Sequence, residues 1–169
     1  MKVLVIIVSY NFEPWIEHCL GSLRLSQYPI DTVVIDNGSK DQTIQRIRKD
    51  YPEMRLLPQN ENLGFGRANN IGMKIALTEG YDFVFLLNQD AWIDSNTIGK
   101  LVELSQSHPQ YGIFSPVHLT GKGDKPDPGF GHYAQIQQLS QLPENEILQI
   151  PFANAAFWMI PISVLKKVG

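Results

Sequence analysis

The chain has 169 residues, 43% of them hydrophobic and 18% charged, with a formal net charge of −3. Such a length and balance indicate a single globular domain, spanning 1–169, with a sizeable core. The slight negative charge excludes a basic face for nucleic acid. The lone Cys19 excludes an internal disulfide and suits a reducing cytoplasm.

The first element is a strand over Val3–Val8. It is six apolar residues followed by Ser9-Tyr10-Asn11, too short for a secretory leader and lacking a small-residue cleavage site. No run approaches the length of a membrane span. Pro14 opens a helix whose Trp15, Ile16, Cys19, Leu20 and Leu23 recur at helical spacing, which makes Cys19 a core residue. Thr32–Ile35 reads as a second strand ending on Asp36-Asn37-Gly38. Ser39-Lys40-Asp41-Gln42 then fits a capping box for a helix carrying Ile44 and Ile47.

Met54–Leu57 is a short third strand. After Asn62-Leu63-Gly64-Phe65-Gly66 comes a helix with Ala68, Ile71, Gly72, Ile75 and Ala76 on one face. Phe83–Leu87, five apolar residues bounded by polar ones, reads as a strand buried on both faces; it stops on Asn88-Gln89-Asp90. A helix from about Ser95 and a fifth strand beginning at Ile113–Phe114 follow. The alternation predicts an α/β fold, a mostly parallel sheet with helices on both faces.

The span 117–149 reads as an irregular insertion. Its stretch Gly121–Gly129 is rich in turn residues, and Ala134–Gln149 has room for a short helix or hairpin. His118 and His132 read as surface histidines. Pro151–Ile160 is predicted as a strand and Pro161 as the start of a last helix.

Chemistry collects where strands end. Right-handed crossovers bring Ser9-Tyr10-Asn11, Asp36 and Asn88-Gln89-Asp90 to one edge of a parallel sheet, where ligands bind in open α/β folds. The dinucleotide fingerprint is absent, because the first turn holds no glycine and Gly64-Phe65-Gly66 lies in a later one. Tyr10 suits stacking on a base or a structural role, and Asp36 suits hydrogen bonding to a nucleoside or a simple turn. A strand-end carboxylate such as Asp90 suits a hard divalent cation shared with phosphates.

The chain resembles the inverting glycosyltransferases of family 2, which have the GT-A fold. The carriers are Val8–Asn11, Val34–Asp41, Asn60–Asn70 and Leu86–Asp90, in that order along essentially the whole chain. The resemblance implies transfer of a sugar, with inversion, from a UDP- or dTDP-sugar to a saccharide or lipid-linked acceptor. It implies nucleotide binding by Ser9, Tyr10, Asn11, Asp36, Asn62, Gly64, Asn69 and Asn88, with Asp90 holding Mn2+ or Mg2+. Asn88 stands where the family usually has an acid, as in rhamnosyl-transferring and other polymer-building relatives.

The resemblance also places the catalytic base beyond Gly169; Asp124, Asp127, Glu144 and Glu146 do not match its position. The expected setting is the cytoplasm, with the inner face of the membrane as an alternative. A non-catalytic nucleotide or sugar-nucleotide binding module on the same fold is the competing expectation.

Overall fold

A computed structural model describes residues 1–142 and 147–168. Glu144, Glu146 and Gly169 lie outside the described residues. The strands are β1 (Val3–Ser9), β2 (Asp31–Asp36), β3 (Arg55–Pro58), β4 (Phe83–Leu87) and β5 (Phe157–Pro161). The helices are α1 (Ile16–Arg24), α2 (Thr43–Asp50), α3 (Phe65–Thr78), α4 (Thr97–Ser107), α5 (Pro128–Ala134) and α6 (Ile162–Val168).

The strands form one sheet in the order β3-β2-β1-β4-β5, parallel except that β5 runs antiparallel to β4. Side chains alternate across a strand, so β1 serves two cores. Val3, Val5 and Ile7 pack with Ile16, Cys19 and Leu20 of α1, Ile47 of α2 and Ile98 and Leu101 of α4. Leu4 and Ile6 pack with Ala68 and Ala76 of α3 and Ile162 and Leu165 of α6. Both faces of the sheet are therefore covered, as the continuous apolar runs predict. No helix among the described residues is long and apolar enough to cross a membrane.

Several elements depart from the sequence reading. Ile113–Phe114 forms no strand. Phe114 makes an isolated antiparallel bridge to Met159, with N–H···O distances of 2.9 and 2.8 Å. Pro116 explains the brevity, since it has no N–H and restrains Ser115. The strand expected over Pro151–Ile160 forms only from Phe157, and Pro161 ends it opposite Phe83. Helix α1 begins at Ile16, after a turn holding Pro14, and leaves Trp15 largely outside the core. Ser39 caps no helix. Asp41 takes the Thr43 N–H at 3.1 Å and the Thr43 hydroxyl at 2.6 Å.

The described part of the insertion contains a helix, α5. Asp127 accepts from Gly129 N and Phe130 N at 2.9 and 3.0 Å and so caps α5, with Pro128 in the first turn. That pairing is a helix-start signal which the surrounding glycines obscure. Phe130, Ala134 and Ile136 make a small separate core. His118 is not a surface residue. It is buried at 4% exposure, between Phe130 and Phe157 at ring-centroid distances of 5.2 and 4.7 Å. Its Nε2 pairs with Ser115 Oγ at 2.8 Å. His132 is exposed, as expected.

Two predictions follow from this packing. A Cβ at Gly72 would stand 2.6 Å from Ile6 Cγ2 and 2.9 Å from Ile6 Cδ1, both in the core. Overpacking of this kind costs ~1–3 kcal/mol, so Gly72→Ala lowers the urea midpoint without changing the slope.

Burial pushes the His118 imidazole below its ordinary value, against the opposing pull of Asp127. The unfolded chain then binds the proton more tightly than the folded one, so stability falls as pH drops through about 6.5 and below. His118→Gln, which cannot titrate, flattens that part of a melting-temperature profile between pH 7.5 and 5. An unchanged profile would locate the acid sensitivity elsewhere.

Candidate functional site

The chain runs outward from β1 through β2 to β3 and then returns to place β4 on the other side of β1. This reversal opens a crevice at the carboxyl ends of β1 and β4, the location where open α/β sheets bind ligands. An open cleft of about 550 Å³ lies there.

Its walls come from successive strand ends. Val8, Ser9 and Tyr10 come from β1 and Asn37 from the end of β2. Asn62 and Phe65 come from the turn into α3. Asn88, Gln89 and Asp90 follow β4, and Asn154, Ala155 and Ala156 precede β5.

Five of the residues to which the resemblance gives a binding role line this cleft: Ser9, Tyr10, Asn62, Asn88 and Asp90. Asn11, Asp36, Gly64 and Asn69 do not line it; Asp36 and Asn69 are buried, whereas Asn11 and Gly64 are exposed beside it. Asp36 is fully buried, and its carboxylate accepts from Ser9 Oγ at 3.0 Å, Gly38 N at 3.2 Å and Ser39 N at 3.0 Å, and also from the Ser39 hydroxyl. The same Ser39 hydroxyl accepts from Asn11 N at 2.9 Å, and Asn11 Oδ1 accepts from Lys40 N at 2.9 Å. Asn11 adopts a left-handed backbone with φ of 51°, a conformation that asparagine tolerates better than most residues. Together these bonds fasten the β1 loop to the β2 loop.

The rim beyond β4 is fastened in the same manner. Gln89 pairs with the Tyr10 backbone in both directions, accepting from Tyr10 N at 2.8 Å and donating to Tyr10 O at 3.2 Å. Asn88 N donates to Ala156 O at 3.1 Å, which draws the segment before β5 onto the cleft. At the α3 end, Asn62 Oδ1 accepts from Gly64 N at 2.8 Å, and Asn69 Nδ2 donates to Phe65 O at 3.0 Å. Gly64 has φ of +80°, which the turn requires and which glycine alone adopts freely.

Sequence reasoning gave no binding role to Asn37, Phe65 or Asn154–Ala156. Asn37 adjoins the more conspicuous Asp36, yet it is Asn37 that lines the cleft, with Oδ1 accepting from Leu63 N at 3.4 Å.

Among the described residues, Asp90 is the one carboxylate lining the cleft, and no cluster of three His, Cys, Asp or Glu forms a metal cage. Asp90 is exposed and, among the described residues, has no ion pair. A single free carboxylate fits a magnesium- or manganese-type ion that takes its other ligands from phosphate and water. Cys19 is a core residue nearby; burial and then Asp90 push its thiol up, away from reactivity.

The Asp36 network predicts a structural phenotype. Asp36→Ala leaves Ser9 Oγ and two backbone N–H groups without their acceptor in a buried place. Losses of this kind cost ~1–3 kcal/mol per group, so the variant unfolds at clearly lower urea. Asn11→Ala, at an exposed position, costs less.

A family model described as glycosyl transferase family 2 matches residues 4–169. Over 122 residues the chain is 33% identical to N-acetylglucosaminyl-diphospho-decaprenol L-rhamnosyltransferase of Mycobacterium tuberculosis, covering 67% of this chain and 40% of that one. The crystal structure of Staphylococcus aureus TarS residues 1–349 in complex with UDP-GlcNAc superposes with a TM-score of 0.59 at 28% identity, covering 67% of this chain and 33% of that chain. The mannosyltransferase PcManGT of Pyrobaculum calidifontis, in complex with GDP-Man and Mn2+, shares the fold over 99% of this chain and 46% of its own, with a TM-score of 0.74 at 22% identity. The chain thus spans less than half the length of each of these relatives. Its five-stranded, mostly parallel sheet is the GT-A fold.

Proposed function

The chain belongs to glycosyl transferase family 2, and from that premise we propose that its cleft binds the nucleoside diphosphate of a UDP- or dTDP-sugar for transfer of that sugar to a saccharide or lipid-linked acceptor. The observation that carries this reading is the meeting of Tyr10, Asn37 and Asp90 around one cleft at the reversal of the sheet. Tyr10 supplies a half-exposed aromatic face for a base, held from behind by Gln89. Ser9, Asn62 and Asn88 offer uncharged hydrogen-bonding groups for the nucleoside. Asp36, Gly64 and Asn69 act by shaping the wall.

Asp90 is the residue suited to hold Mn2+ or Mg2+, and a bound ion would neutralise the charge developing on the departing diphosphate. In an inverting displacement the acceptor oxygen bonds to the anomeric carbon as the bond to the diphosphate oxygen breaks, and the hydroxyl proton passes to a base. With Asp90 on the diphosphate side, no carboxylate among the described cleft residues is left for that role. A second reading is a module that binds sugar nucleotides without transferring the sugar, since fold alone does not fix function. Work on a lipid-linked acceptor would set the protein at the cytoplasmic face of a membrane.

Calorimetry with UDP, dTDP and GDP, with and without Mn2+, tests the site. A pyrimidine nucleoside diphosphate binds, and the metal tightens it. Asp90→Ala abolishes the metal effect with no change in melting temperature, because an exposed carboxylate supports no core. A folded chain that binds no nucleoside diphosphate would overturn the nucleotide reading. Metal dependence that survives Asp90→Ala would place the ion elsewhere. Consumption of sugar nucleotide in the presence of acceptor separates the transferase from the binding module.

A further inference from the structure

Helix α1 runs beside the loop that carries Asp90, and Ser22 is the side chain through which it grips that loop's backbone. Serine is a weaker helix former than alanine, and Ser22 sits inside the helix. Its hydroxyl donates back to Cys19 O at 2.8 Å, a bond that bends a helix more readily than it strengthens one. Its presence there calls for a reason. With the proton directed into the helix, Oγ turns its lone pairs outward and accepts from Ile93 N at 3.2 Å.

Further contacts follow the same line. Cys19 Sγ donates to Asn88 O at 3.7 Å. The His18 ring lies 5.3 Å from that of Trp92, tilted by 44°. Trp92 is closed in from another side by Gly121, where a Cβ would come within 3.3 Å of its ring. Gln89 is fastened to the Tyr10 backbone, and Ala91 N donates to Asn88 O at 3.2 Å. Asn88, Gln89, Ala91, Trp92 and Ile93 are thus each tied down, and Asp90 stands exposed among them. Its charge also raises the Cys19 thiol, so the carboxylate lies within electrostatic reach of this face of α1.

We propose that Ser22 is a positioning residue for the Asp90 carboxylate: by fixing Ile93 to α1 it fastens the far end of the loop and sets the direction from which Asp90 meets a divalent ion. This rests on the reading of Asp90 as the residue that holds Mn2+ or Mg2+ and extends it to the group that steadies it. A carboxylate on a loose loop has to be ordered by the ion itself, which weakens binding, whereas a loop fastened at both ends is ordered on folding. An ion of this type also demands near-ideal coordination geometry, so it feels a displaced carboxylate more than an uncharged nucleoside does. Ser22 does not line the cleft. Its effect on a ligand therefore passes through the loop.

The test is calorimetry of the whole chain with UDP, with and without Mn2+, on Ser22→Ala and Ser22→Thr. Alanine removes the hydroxyl and keeps the helix, whereas threonine retains the hydroxyl. Groups that orient a metal ligand change metal affinity by roughly 10- to 100-fold, and Ser22, acting through the backbone, belongs at the lower end. Ser22→Ala therefore weakens UDP in the presence of Mn2+ by about 10-fold. Without the ion it binds UDP as the parent does, and Ser22→Thr recovers the metal effect. A role confined to stability lowers the melting temperature and leaves the tightening by Mn2+ intact, and that result overturns the proposal. An equal loss with and without the ion overturns it too, as does a Ser22→Thr that recovers nothing. Two other failures are distinct from these. A parent whose metal effect survives Asp90→Ala overturns the metal reading, and a folded parent that binds no UDP, dTDP or GDP overturns the nucleotide reading.

Discussion

The buried carboxylate of Asp36 is the fixed point from which the cleft is hung. An ionised carboxylate removed from water is costly unless its lone pairs are filled. Here Ser9 Oγ, Gly38 N, Ser39 N and the Ser39 hydroxyl fill them. Each of these donors belongs to a loop that would otherwise leave the sheet independently. Through Ser39 the network reaches Asn11, and through Ser9 it reaches the backbone beside Tyr10. The ends of β1 and β2 are consequently one rigid body. A ligand arriving there meets a wall that is already ordered, which spares the cost of fixing loops on binding.

The other half of the cleft depends on the sheet's reversal. β4 lies beside β1 with Val3 opposite Phe83 and Ile6 opposite Leu86, so β4 runs out alongside the end of β1. The apolar run then ends on Asn88-Gln89-Asp90. Gln89 uses its side chain to pin Tyr10, whereas Asp90 leaves its own side chain free. Within a tripeptide, one residue serves the scaffold and the other the solution. Antiparallel β5 then brings Asn154–Ala156 to the far side, joined by Ala156 O to Asn88 N.

The strands of the parallel sheet and the helices between them were legible because burial on both faces leaves uninterrupted apolar runs, and Phe83–Leu87 is the clearest of these. The residues at the strand ends were legible for a related reason, since a polar cluster after such a run has nowhere to go but the sheet edge. The insertion was harder to read. The position of His118 depends on Phe157, distant in sequence, and an imidazole between two phenylalanines has no local signature. Ile113–Phe114 looked like a strand because residue type carries no information about whether a partner is available. Asp36 drew attention by its charge, and the structure shows its carboxylate buried among donors from Ser9, Gly38 and Ser39. Asn37 was overlooked for lacking charge. Phe65 was taken as part of a glycine-bearing turn, and nothing local in the sequence signals that it lines the cleft.

Carboxamides bear on what the cleft can distinguish. Asn37, Asn62, Asn88, Gln89 and Asn154 surround it, with Asp90 the one charge among the described residues that line it. An amide both donates and accepts, so such a rim satisfies a polar ligand without adding field. Two negatively charged phosphates placed there meet no lysine or arginine among those lining residues. The carboxylate itself would repel them. On the nucleotide reading proposed above, attraction comes from a cation that binds Asp90 and phosphate together, since opposite charges in contact outweigh the repulsion they replace. On that reading an uncharged rim of amides is left to recognise the uncharged parts of a ligand, and the diphosphate depends on the ion.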